Sequence, residues 1–152
     1  MAKPKSDLSL SERVRERQKR KEASQAKSTR DLWPDDIKVD EMVTPLSILK
    51  EQASLLGQKT QNLVEAEVQT KPLGADFSHS FFLVAPPLDN YRYKLFEIHH
   101  PIDMYPVKIV DENGGIRYEP RSQDEFIAKL REVLTSEKTK SVIRALIAQS
   151  QN

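Results

Sequence analysis

Seven of the ten aromatic residues fall between Phe77 and Tyr105, namely Phe77, Phe81, Phe82, Tyr91, Tyr93, Phe96 and Tyr105. All three histidines, His79, His99 and His100, lie in the same stretch, and Pro86, Pro87, Pro101 and Pro106 cut it into short pieces. Rings and β-branched residues in short runs bounded by proline are the composition of strands and turns. This block therefore predicts a β-sheet core, and it gathers every imidazole of the chain into that sheet.

Phe81-Phe82-Leu83-Val84-Ala85 is apolar on both faces and reads as a buried central strand. Pro86-Pro87 stops it, and Asp89-Asn90 supplies turn chemistry. Tyr91-Arg92-Tyr93-Lys94-Leu95 alternates with period two, as a half-exposed strand does. The apolar phase switches at Phe96-Glu97-Ile98, which suggests a bulge there. A third strand is expected over 105–110, with Tyr105, Val107 and Ile109 on one face and Lys108 on the other. Asp111-Glu112-Asn113-Gly114-Gly115 then reads as a hairpin connection, and Ile116 to Glu119 as a short return strand. Connections this short make an antiparallel meander over 80–119.

Helices flank the block. Thr44 is placed to cap a helix over 45–68, with Pro45 at its first position. Leu46, Leu49, Ala53, Leu56, Thr60 and Leu63 recur at spacings of three and four, which puts them on one stripe. Such a stripe packs on a sheet or pairs with a second copy of itself. Lys71-Pro72-Leu73-Gly74 ends the tract. Ser122 with Glu125 starts a second helical region, carrying Phe126, Ile127, Leu130 and Leu134 on one face. The pattern breaks at 135–138, where Ser136 can cap another helix bearing Val142, Ile143, Leu146 and Ile147. The fold class is α+β: a small antiparallel meander of three to four strands packed against an N-terminal amphipathic helix and a C-terminal helical pair. The expected buried set includes Phe82, Val84, Leu95 and Val107.

Charge divides the rest of the chain. The net charge is only +1. Residues 1–30 carry ten Lys/Arg and four Asp/Glu, 10 − 4 = +6, whereas residues 31–76 carry four and nine, 4 − 9 = −5. Three regions follow: a flexible basic arm over 1–30, frayed or disordered, an acidic linker over 31–43 with the single Trp33, and one domain over 44–152. Arg13, Arg15, Arg17, Lys19, Arg20 and Lys21 in the arm are candidates to neutralise nucleic-acid phosphates without reading sequence. Trp33 in a polar linker is expected to dock, on its own domain before a partner. Tyr91, Arg92 and Tyr93 join it as candidate partner contacts, because rings and cations interleave there.

Several chemistries are excluded. The chain has no Cys, so thiolate metal sites, disulfides and cysteine nucleophiles are out. None of the four glycines fits a phosphate-cradling loop. No Ser sits in a nucleophile elbow. No apolar run spans a membrane and no secretory leader is expected, which points to the cytoplasm. No cofactor is expected. His99, His100 and Asp103 are the one cluster with metal-ligand chemistry. Adjacent residues on a strand point to opposite faces, however, so the three converge only if the backbone turns at Pro101. Three functional readings stand at this level. The first is a non-catalytic module acting through protein–protein contacts, self-association among them. The second is nucleic-acid binding by the arm. The third is metal-assisted hydrolysis at His99, His100 and Asp103.

Overall fold

A computed structural model describes residues 12–15, 17, 30–39 and 42–151. The chain divides into two units, residues 1–41 and 42–152. In the first unit, residues 12–15 and 17 are helical and exposed. Leu32, Trp33, Ile37 and Val39 of the same unit are also exposed.

The second unit opens with helix α1, Pro45–Lys59. Its start is as the sequence predicts. Thr44 Oγ1 accepts the Ser47 N–H at 3.0 Å, and Ser47 Oγ accepts the Thr44 N–H at 2.8 Å, a reciprocal cap. Its end is a correction, because the helix stops nine residues short of 68. Gln61 and Asn62 take left-handed φ values of 53° and 63°. The Asn62 N–H then donates back to the Gly57 carbonyl at 2.9 Å, a Schellman-type closure. Thr60 Oγ1 seals the corner by accepting the Val64 N–H at 3.1 Å. Residues beyond it form strand β1, Glu65–Leu73, whose first four residues the expected helix had included.

Four more strands follow: β2 Asp76–Ala85, β3 Tyr91–His100, β4 Lys108–Val110 and β5 Ile116–Tyr118. They form one five-stranded sheet in chain order, every neighbour antiparallel. The meander is thus confirmed, with one strand more than expected. Between β2 and β3 the register shifts, with Phe81 opposite Phe96 but Phe82 opposite Lys94. Leu95 is the extra residue, so the bulge lies one position earlier than the sequence suggested. It turns both Leu95 and Phe96 inward, and both are buried.

Two helices close the chain, α2 Gln123–Leu134 and α3 Glu137–Ser150. Ser122 and Ser136 cap them, accepting the N–H groups of Glu125 and Thr139 at 3.2 and 3.3 Å. The helices cover one face of the sheet. The core there joins Leu49 of α1, Phe81 and Leu83 of β2, Phe96 and Ile98 of β3, Ile109 of β4 and Phe126 of α2. Phe81 and Phe96 stack at 5.1 Å between centroids. Each such side chain contributes about 1.5–3 kcal/mol by leaving water. Phe82 is a second correction. It shares the open face with its neighbour Lys94, and the Arg92 guanidinium lies 4.3 Å over its ring. Val84 is buried but stands outside the main core cluster.

Candidate functional site

The histidines separate by strand parity. His79 on β2 and His100 on β3 both turn toward the helices and are 2% and 7% exposed. His79 pairs with Ile98, so His100 is its diagonal neighbour, within reach of a long side chain. Their Nε2 atoms lie 2.8 Å apart. His100 Nδ1 lies 2.7 Å from the Pro101 carbonyl, which only accepts, so Nδ1 carries the proton. Between two neutral rings, His100 Nε2 is then the acceptor of the His79 Nε2–H. His79 Nδ1 in turn accepts the Thr70 hydroxyl at 2.9 Å. Thr70, His79, His100 and Pro101 thus form one continuous chain of hydrogen bonds. Burial lowers the His79 pKa to about 4, helped by His100 and by the Lys50 ammonium. Phe77 lies against both rings, at 6.3 and 5.6 Å between centroids.

His99 faces the other way. Its Nε2–H donates to Glu97 Oε2 at 2.8 Å, and Lys94 pairs with the other oxygen of that carboxylate. Burial, then Lys108 and Lys94, push the His99 pKa down, against a smaller upward pull from Asp76. Asp103 is exposed in the following turn. The structure does not bring His99, His100 and Asp103 together. Among the described residues, no group of three His, Asp or Glu side chains is placed to hold a metal ion.

The interleaved rings and cations of β3 are likewise divided. Leu83 pairs with Tyr93 on the helix side, where the Tyr93 hydroxyl donates to Glu112 Oε2 at 2.7 Å. Arg92 lies on the open face, 3.2 Å from Glu67. Tyr91 is exposed and pairs with Ala85 at the end of the ladder. No single stacking platform results. In the first unit, Trp33 is 77% exposed and donates its backbone N–H to Asp31 Oδ1 at 3.1 Å. Arg13, Arg15 and Arg17 are exposed and helical, and Lys19, Arg20 and Lys21 lie outside the described residues.

One concave feature was not among the candidates from sequence. A groove of about 630 Å³ runs between α1 and the α2–α3 pair. Phe81, Leu83 and Leu95 form its floor. Its α1 wall runs from Ile48 to Lys59 and its α2 wall from Gln123 to Thr135. Each wall is about 16–18 Å long at 1.5 Å per residue. Leu55, Leu56, Ile127 and Leu134 are apolar members of these walls, whereas Glu51, Lys59 and Arg131 bring both signs of charge. The only sequence signal for it was the extra breadth that Ile48 and Leu55 give the α1 stripe, more apolar surface than one contact covers.

Among the described residues no helix is long and apolar enough to cross a membrane. No protein-family model, curated protein or solved structure matches this chain.

Proposed function

We propose that the chain is a non-catalytic, cytoplasmic binding module whose groove takes an amphipathic helix of a partner protein. The groove between α1 and α2–α3 carries this reading. Its walls are three turns long, which suits a helix presenting apolar anchors at i, i+3/i+4 and i+7. Its floor is apolar, and its charged members of both signs suit the polar flanks of such a helix better than an acyl chain. The histidines support the non-catalytic part. His79 and His100 are engaged by partners within the chain, and His99 is held by Glu97.

Leu55→Glu with Ile127→Glu tests the proposal, since neither residue is fully buried. The expected result is that proteins retained by the native chain from extract are lost by the double variant, while its thermal unfolding stays cooperative. An unchanged retained set would sink the groove reading.

The second reading is nucleic-acid contact by the arm. Arg13 and Arg17 stand four residues apart in a helical stretch and so share one face. Removing residues 1–30 would then abolish salt-sensitive retention on an RNA column, and unchanged retention would rule it out.

A further inference from the structure

The sheet has two edges of very different character. β5 is three residues long, whereas β1 runs for nine, from Glu65 to Leu73. Long bare edges are templates for another strand, and proteins usually shorten or cover them. The turn fixes which backbone groups of β1 are bare. Leu73 pairs with Asp76 around the two-residue connection Gly74-Ala75, so this closing pair exchanges both its hydrogen bonds. Counting back by twos, residues 71, 69, 67 and 65 bond to β2. Ala66, Val68, Thr70 and Pro72 turn their backbone groups away from the sheet. Pro72 fits that assignment, since a strand proline needs its nitrogen on the open side. Among the described residues, no turn or loop bond reaches the N–H groups of Ala66, Val68 or Thr70.

We propose that β1 pairs with β1 of a second copy of this chain, joining two sheets across a twofold axis at Val68. The side chains favour this register. With Val68 opposite Val68, Ala66 faces Thr70 and all three outward N–H groups find carbonyl partners. In this register Glu65 stands across from Lys71 of the second copy, and Glu67 across from Gln69. Opposite charges across a strand pair are favourable, and like charges in that position are not. A register centred on Glu67 sets Glu67 against itself. One centred on Gln69 sets Pro72 against Ala66 and loses a donor. The axis also places the two α1 helices side by side on the covered face. A second groove of about 460 Å³ lies there, lined by Ala53, Ser54, Gly57, Glu65, Ala66 and Val68 among others. Small residues on α1 leave room for the neighbouring helix.

Sedimentation equilibrium of the full chain tests the proposal. The expected result is a concentration-dependent monomer–dimer equilibrium. Glu65→Lys and Lys71→Glu each create two like-charge pairs per dimer and weaken it about tenfold. The double variant restores it. Val68→Pro removes an outward N–H without touching the β2 ladder and abolishes the dimer, with cooperative unfolding kept. A strictly monomeric native chain overturns the idea and leaves the edge to an extended segment of another protein. A dimer unmoved by both single reversals overturns it too. Leu55→Glu with Ile127→Glu alters the other groove and leaves this dimer intact, so the two readings fail separately.

Discussion

The two faces of the sheet put the same residue types to different use. On the helix-covered face, Phe81 is stacked and 1% exposed, and two buried imidazoles sit in a continuous chain of hydrogen bonds. On the open face, Phe82 lies under a guanidinium, and His99 belongs to a cluster with Glu97, Lys94 and Lys108. Adjacent positions along one strand thus experience a low and a high dielectric. The covered face excludes charge, because a buried ion costs far more than its partners return. The open face balances charge against charge, where each pair is worth little.

Three measurements break or sharpen that contrast. The largest effect is expected from truncating the two neighbouring phenylalanines. Phe81→Ala removes a ring from the core and costs about 3–5 kcal/mol. Phe82→Ala loses a half-covered ring and a cation–π contact, and costs about 1 kcal/mol. Urea titration of both variants checks this, and equal costs would mean that the faces do not differ in burial.

The next effect is in acid. The His79 pKa is lowered to about 4 in the folded chain, below the 6.5 of the unfolded one. The unfolded state therefore binds more protons as the pH falls. The stability from a neutral His79 is complete above 6.5 and is lost through the window down to about 4. The loss amounts to at most about 3 kcal/mol. His79→Gln flattens the profile, and a slope that survives it would place the acid sensitivity elsewhere. The smallest effect is on the open face. Glu97→Gln removes the partner of Lys94 and His99 and costs less than about 1 kcal/mol, diminishing with salt.

Where a feature rested on local chemistry, it could be read from the residues. Thr44, Ser122 and Ser136 cap their helices because a hydroxyl in that position satisfies an otherwise orphaned N–H. The 111–115 connection closes on Asp111, whose Oδ1 accepts the N–H groups of Asn113 and Gly115 at 3.0 Å each. The opposed directions of His99 and His100 follow from the pleat alone. The end of α1 was hidden for a specific reason. Leu63 extends the three–four spacing past Lys59, and the left-handed residues at the break are Gln61 and Asn62, neither of them a glycine. β1 was hidden behind it, because Glu65, Glu67, Gln69 and Lys71 make an edge strand look like a solvated helix face. The groove has no local signal beyond the breadth of the α1 stripe, since its width depends on how far α1 stands from α2 across the sheet. The His79–His100 bond needs the register of two strands, which neither strand encodes by itself.

The extra residue at Leu95 acts as a parity switch for the second half of β3. Before it, odd-numbered residues face the helices, as Tyr93 does opposite Leu83. Beyond it, the even ones do, with Phe96, Ile98 and His100 opposite Phe81, His79 and Phe77. An uninterrupted strand would carry Glu97 and His99 into the core and expel Phe96 and Ile98. A single inserted backbone unit thus decides which of two adjacent imidazoles is sealed from water and which can take up a proton from solvent.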